Sequence, residues 1–168
     1  HLIPCVEICP GENTSTKATE KAKEIFKLSG SSIVTVNKEI DGFILNRLQG
    51  ALLNEAMRLY SEGYASSEDI DATIKDGLGL RWAFMGPFET IDLNAPGGIK
   101  DYMARYGSIF IEMAKSQTKI PDWSENAGKK LELERRKILI EDDLEKRARK
   151  RNFLLKQLRK LKIENDET

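Results

Sequence analysis

Residues 41–63 read DGFILNRLQGALLNEAMRLYSEG, and this stretch decides the fold class. Its apolar side chains recur every three or four residues, and Gly63 is a natural helix stop. The pattern predicts a helix of about 20 residues, about 30 Å long, capped by Asp41 or its neighbour. Because the apolar positions cover more than one stripe, we expect a central helix contacted on several sides.

Helical patterns continue downstream of this stretch. Ser66 and Ser67 precede acidic residues and predict a capped helix that ends at Gly77, whereas the glycine-rich residues 77–88 predict a loop. Apolar periodicity predicts further helices at 87–93, 99–113 and 124–163, the last with a break near 140–143.

Upstream, the pattern changes from helical to β-branched. Residues 3–8 and 31–39 favour short strands or extended connectors. Between them lies a helical pattern that starts at Asn13, Thr14 or Ser15. We therefore predict an all-α multi-helix bundle with a short extended N-terminal segment.

Charge and hydropathy exclude several classes of protein. The 27 basic and 27 acidic residues give a net charge of zero, so no global field attracts nucleic acid. No apolar run approaches the length of a membrane span. Residues 129–162 are nevertheless basic, with a net charge of +8 against −5 for residues 1–128. We interpret this segment as a solvated helical face and keep polyanion binding as the weaker alternative.

Composition also limits the chemistry of the chain. Cys5 and Cys9 lie four residues apart with no second pair, so we expect free thiols, no metal site and a cytoplasmic protein. The opening residues lack the basic start of a signal peptide. His1 is the single histidine, and a terminal side chain is poorly anchored for proton transfer. The chain alone therefore looks catalytically incomplete.

Three polar residues remain as candidates for a site. Asn46 stands in an apolar helix start, where its amide would either make a structural hydrogen bond or donate to a substrate oxygen. Glu7, in a β-branched run, would either lie on the exposed face of an edge strand or act as a functional carboxylate. Arg81, in the glycine-rich stretch, would form a surface ion pair or bind a carboxylate through both nitrogens. The residues alone leave each choice open.

Several motifs together resemble the 3-hydroxyacyl-CoA dehydrogenase superfamily, and most closely its lambda-crystallin and L-gulonate 3-dehydrogenase branch. The resemblance covers about residues 3–98. It is carried by IPCVEICPGENTS at 3–15, GF-x-x-NR-L at 42–48, EA-x-R-L at 55–59, S-x-x-D-ID at 66–71 and GLG-x-R-x-AF-x-GP-x-ET-x-x-LNA at 77–95.

The resemblance implies a division of labour between two domains. Members of the superfamily have an N-terminal Rossmann domain that binds NAD and a helical C-terminal domain that completes the substrate site and forms a homodimer. This chain resembles the second half, whose fold is similar to the C-terminal domain of 6-phosphogluconate dehydrogenase. We expect an extended connector at 1–12, the helical domain at 13–163 and a tail at 164–168.

The resemblance also assigns roles to the three candidates. The family's catalytic histidine belongs to an H-x-x-N-P motif upstream of a V-E pair; Val6 and Glu7 match that pair, but His1 does not match the histidine. Glu7 would accept the imidazole N–H and fix its tautomer. Asn46 would bond near the reacting alcohol or carbonyl. Arg81 would bind the carboxylate of an acid substrate.

The function implied is that of one domain of an NAD-dependent hydroxy-acid dehydrogenase. The isolated chain is expected to be inactive and to leave NAD to the preceding domain. Two alternatives stay open: a 3-hydroxyacyl-CoA dehydrogenase of fatty-acid oxidation, and a non-enzymatic, crystallin-like structural protein. The small hydroxy-acid substrate itself is not specified by the sequence.

Overall fold

A computed structural model of the chain describes residues 2–165. The described part is mainly helical with one pair of short strands, as the sequence predicts. His1 and the end of the predicted tail lie outside the described residues. In chain order the elements are β1 (Cys5–Ile8), α1 (Thr16–Leu28), β2 (Ser32–Thr35), α2 (Phe43–Ser61), α3 (Ser67–Ala72), a π-helical turn (Thr73–Leu78), α4 (Gly79–Trp82), α5 (Pro87–Leu93), α6 (Gly98–Ser116), α7 (Glu125–Ile138), a 3₁₀ turn (Glu141–Asp143) and α8 (Leu144–Asn165).

The N-terminal segment forms a β-α-β unit. β1 and β2 pair in parallel, with Glu7 opposite Val34, and α1 makes the connection between them. The Ser15 hydroxyl caps α1 by accepting from the Ala18 amide at 3.2 Å. Parallel sheets normally have more strands and helices on both faces. A parallel pair of four-residue strands is therefore typical of one border of a larger sheet.

α2 starts where the sequence predicts, beside Asp41, but without a side-chain cap from either of the expected residues. The N-cap residue is Gly42, which has no side chain to offer, and the Asp41 side chain makes no cap bond. The helix ends as predicted, with Gly63 at a φ of 77° after the last turn. Met57, in the middle of α2, is one of the few buried apolar side chains.

The stretch from Ser67 to Trp82 is continuously helical. The predicted helix end at Gly77 and loop from 77 onward are therefore wrong as far as Trp82. The chain stays helical by widening into a π turn, in which the Gly79 amide bonds to the Ile74 carbonyl five residues back. A Cβ on residue 79 would lie 2.8 Å from that carbonyl oxygen, so glycine permits the wide turn.

Substitution of Gly79 by alanine is expected to lower the melting temperature by about 3–10 °C. The added methyl would clash with backbone rather than with a flexible side chain, at a cost of about 1–3 kcal/mol. Gly77→Ala is the matched control, because a Cβ there meets nothing within 4 Å and alanine favours a helix. Thermal unfolding followed by circular dichroism measures both; equal melting temperatures would contradict this account of the π turn.

A side chain from α7 fixes the start of α3. The Glu134 carboxylate accepts from the Ser67 amide at 2.8 Å and from the Ser67 hydroxyl at 2.7 Å. These bonds hold the pKa of Glu134 below its usual range, the hydroxyl bond contributing most. The contact joins residues 67 positions apart and ties the charged C-terminal region to the helical body.

We expect the stability of the chain to fall as the pH drops below the usual glutamate pKa of about 4.3. The carboxylate of Glu134 is stabilised in the folded state, so its contribution is complete above that pH and is lost as the folded protein takes up a proton. In Glu134→Gln, the urea midpoint should fall less between about pH 5 and about pH 3 than it does in the wild type. Glu132→Gln, at an exposed position, is the control and should keep the wild-type profile.

The C-terminal helix α8 returns to the β-α-β unit. The Arg159 guanidinium donates to the Gly30 carbonyl at 3.2 Å, and Leu155 and Leu158 border a groove with Cys5 and Trp82. α8 carries nine basic and two acidic side chains, so most of the basic segment 129–162 lies on this helix. Among residues 2–165, no helix combines the length and the apolar character that crossing a membrane requires.

Much apolar surface is left uncovered. The chain exposes 13,524 Å², whereas a compact monomer of this mass is expected to expose about 8,400 Å². The buried apolar residues of the described chain are Val36, Met57 and Ala95. α2 and α6 therefore keep many large apolar side chains at the surface, which is typical of a domain with an interaction surface.

Candidate functional site

Glu7 and the first turn of α2 form one structural unit. Glu7 Oε1 accepts from the Ile44 amide at 2.7 Å and from the Leu45 amide at 3.1 Å. Backbone amides at a helix start lack partners within the helix, and the helix dipole favours a negative charge there. The carboxylate thus supplies from β1 the cap that Gly42 cannot provide.

Asn46 follows directly after these two amides, on the same helical turn. Its side chain is exposed and makes no hydrogen bond within residues 2–165. A structural bond to satisfy a buried amide is therefore not its role in this chain. The structure brings Glu7 and the segment carrying Asn46 together, although they are far apart in sequence, and leaves the Asn46 amide available.

Arg81 is not joined to this unit. It lies on α4, is exposed, and forms no ion pair with any of the residues described. Its neighbour Trp82 does border the groove of about 440 Å³ that also touches Cys5 on β1. The helix carrying Arg81 and the strand carrying Glu7 therefore border one groove, but the Arg81 guanidinium makes no hydrogen bond or ion pair to Glu7 or Asn46 in the described chain.

The E-x-x-R motif of α2 builds a polar cluster rather than part of this unit. Arg58 bonds both oxygens of Glu55 and reaches Glu62 at 3.3 Å. The Arg58 hydrogen bond holds the pKa of the Glu55 carboxyl below its usual range. The cluster borders a cavity of about 420 Å³ with Asn54 and Gln117. Lys119, 3.7 Å from Glu62, balances the second carboxylate, so the charges compensate each other, which indicates a structural role for the motif.

The described residues do not by themselves make a site for a metal or a dinucleotide. No group of three or more His, Cys, Asp or Glu side chains in residues 2–165 could hold a metal ion. The β1–α1 connection, where a Rossmann unit carries its phosphate-binding glycines, contains a single glycine, Gly11. Within the described residues, this connection therefore lacks the glycines that would let the backbone approach the pyrophosphate of NAD.

Sequence reasoning missed the unusual backbone at the start of α2. Gly42 and Phe43 both have positive φ, 81° and 48°, and Phe43 is the one non-glycine residue with this conformation in the described chain. A glycine before the helix is visible in the sequence, but nothing in the sequence indicates that the following phenylalanine shares its left-handed conformation.

Comparisons with known proteins agree on a family. The model of the 3-hydroxyacyl-CoA dehydrogenase C-terminal domain matches residues 42–138. Lambda-crystallin of Oryctolagus cuniculus is 41% identical over 96% of this chain and 51% of its own length. An L-carnitine dehydrogenase of Streptomyces coelicolor is 42% identical over 64% of this chain and 34% of its own length.

A solved structure shares the fold. It is a 5-formyl-3-hydroxy-2-methylpyridine 4-carboxylic acid 5-dehydrogenase, described as an NAD⁺ dependent dismutase, with a TM-score of 0.64 and 27% identity. The match covers 74% of this chain and 38% of that one. The chain spans about half the length, or less, of the proteins it matches here.

Proposed function

The chain belongs to the 3-hydroxyacyl-CoA dehydrogenase family, whose C-terminal domain it matches, and we propose that it serves an NAD-dependent hydroxy-acid dehydrogenase. In this proposal it is the domain that completes the substrate site and forms the homodimer. The full-length enzyme oxidises a secondary alcohol by transferring a hydride to NAD. In this proposal the chain alone is inactive, because His1 does not match the family's catalytic histidine and residues 2–165 offer no dinucleotide site of their own.

The observation that carries the proposal is the joining of Glu7 to the helical turn that bears Asn46. These are the positions that match the family's carboxylate and amide. Oε1 of Glu7 binds the helix start, while Oε2 makes no hydrogen bond within residues 2–165 and is available to an imidazole N–H. A carboxylate and an unbonded amide that are joined in this way suit a site in which the carboxylate holds a histidine base and the amide bonds to the reacting oxygen.

A preceding domain is supported by the β-α-β unit. The parallel pair of β1 and β2 is too small to be a sheet of its own. The relatives are also about twice as long as this chain. We propose that the pair borders the sheet of a Rossmann domain, which holds NAD and supplies the histidine.

In this arrangement the residues of the chain have separate tasks. Glu7 accepts the N–H of the imidazole, so that the opposite nitrogen can take the hydroxyl proton, and stabilises the imidazolium that forms. Asn46 donates to the substrate oxygen and stabilises its developing charge. Arg81, exposed and without an ion-pair partner in the described chain, binds the carboxylate of the acid.

A second copy of the chain is the proposed cover for α6. Its apolar side chains repeat at alternating spacings of four and three, as in a coiled-coil seam. Each is between 38% and 64% exposed: Ile99, Met103, Tyr106, Phe110 and Met113. Tyr106 also contacts Tyr102, with ring centroids 4.9 Å apart, so the seam is an organised aromatic surface.

The substrate class is tested with the full-length protein and a panel of alcohols. NADH formation is measured with L-gulonate, L-carnitine and a 3-hydroxyacyl-CoA. We expect turnover of a hydroxy acid, and Arg81→Ala should raise its KM. A preference for the thioester supports the 3-hydroxyacyl-CoA dehydrogenase alternative, and no turnover of any substrate supports the structural, crystallin-like one. Turnover by residues 1–168 alone would overturn the proposal.

A further inference from the structure

Two left-handed residues in succession open α2. Gly42, at a φ of 81°, adopts this conformation without cost. Phe43, at 48°, does not, since its Cβ crowds the backbone in this conformation. A strained residue of this kind persists only where its surroundings hold it in place.

The holding contacts come from one carboxylate oxygen. The amides of Ile44 and Leu45, directly after the strained residue, both donate to Glu7 Oε1. The Phe43 amide is satisfied separately, by the Ile40 carbonyl at 3.0 Å. In the described chain, therefore, the side chain of Glu7 alone caps the first turn of α2, and it does so from a different element, β1.

We propose that Glu7 is a positioning residue for Asn46. One of its oxygens holds the strained first turn of α2 and so fixes where the Asn46 amide lies, while the other serves the imidazole. This inference rests on the proposed function, in which Glu7 holds the imidazole and Asn46 bonds to the reacting oxygen. It assigns to Glu7 a second task that acts through α2 rather than through the histidine.

The physical consequence is a coupling between strand and helix. Without the two bonds to Glu7, the Gly42–Phe43 bend loses the contacts that compensate its strain, and the first turn can unwind. Asn46 lies on that turn. A displacement of about 1 Å of a group that orients the reaction can cost about 100-fold in rate.

The test is a double-mutant cycle of Glu7→Ala and Asn46→Ala in the full-length enzyme, with kcat and KM measured separately. Hydrogen exchange of the Ile44 and Leu45 amides is followed in the same variants. Alanine has no acceptor for these amides, so we expect Glu7→Ala to accelerate their exchange by about 10-fold or more. We expect Asn46→Ala to lower kcat by about 100- to 1,000-fold in the wild-type background but by less than about 10-fold beside Glu7→Ala, because the amide is then already displaced.

Controls separate positioning from general damage. Glu12→Gln, at an exposed turn position, should leave the exchange and kcat unchanged. Should Glu7→Ala not fold, Glu7→Asp replaces it, because aspartate keeps the charge but is too short to reach both amides. Equal costs of Asn46→Ala in the two backgrounds, or unchanged amide exchange, would overturn the inference. A wild-type enzyme without dehydrogenase activity would defeat the proposed function, and the amide exchange would still decide whether Glu7 holds α2.

Discussion

Replacement of Asn46 by alanine in the full-length protein is expected to lower kcat by about 100- to 1,000-fold, the usual cost of losing one donor to a developing oxyanion. The fold should not suffer. The Asn46 side chain is exposed and has no hydrogen-bond partner in the described chain, and alanine favours the helix. We therefore expect a melting temperature within about 2 °C of the wild type.

Two further variants sharpen this result. Asn46→Asp keeps the size of the side chain but removes its N–H donor, so its kcat should fall as far as that of the alanine variant. Asn37→Ala removes another exposed amide without a partner, after β2, and should retain full activity. Steady-state kinetics with the preferred alcohol measures all three. A kcat for Asn46→Ala within about threefold of the wild type would remove Asn46 from the site.

The double substitution Met103→Glu and Phe110→Glu is expected to convert a dimer of this chain into a monomer. The two side chains lie seven residues apart on one face of α6 and are 64% and 49% exposed. In a dimer that packs through this seam, each substitution replaces a buried apolar side chain with a carboxylate. That carboxylate would have to give up its hydration in the interface. Together they should weaken the dimer by about 1,000-fold or more.

Sedimentation velocity over a concentration series measures this change. Ser108→Glu, on another face of α6 and also exposed, adds a matched charge and should leave the dimer intact. A wild-type chain that stays monomeric at high concentration would contradict the proposed interface. So would a dimer that survives both seam substitutions.

Local signals in the sequence were sufficient for most of the elements. Ser66 caps α3 and α5 starts at Pro87, as predicted, and Ser15 is the one of three candidate residues that caps α1. These features are encoded within one turn of chain, where hydroxyl, ring and backbone geometry act directly. The break near residues 140–143 is also present, as a 3₁₀ turn between α7 and α8.

The prediction failed where a glycine had a different use from the usual one. The helix was expected to end at Gly77, with Gly79 in the loop that follows. Instead Gly79 permits a π turn, because the absent Cβ leaves room for the Ile74 carbonyl. Asp41 or its neighbour was expected to cap α2. That neighbour, Gly42, is the N-cap residue, but the side chain that binds the first amides is a carboxylate from another element. Both outcomes depend on atoms that the local pattern does not specify.

By itself, the sequence determined the helical class, the limits of most helices and the identity of Glu7 and Asn46 as polar residues in apolar runs. Only the tertiary structure decided that Glu7 caps α2 at Ile44 and Leu45, 37 and 38 residues away, and that Phe43 is strained beside it. The reason is physical. Helix periodicity and caps are set by neighbours within four residues, whereas a carboxylate finds distant amides only after the chain has folded.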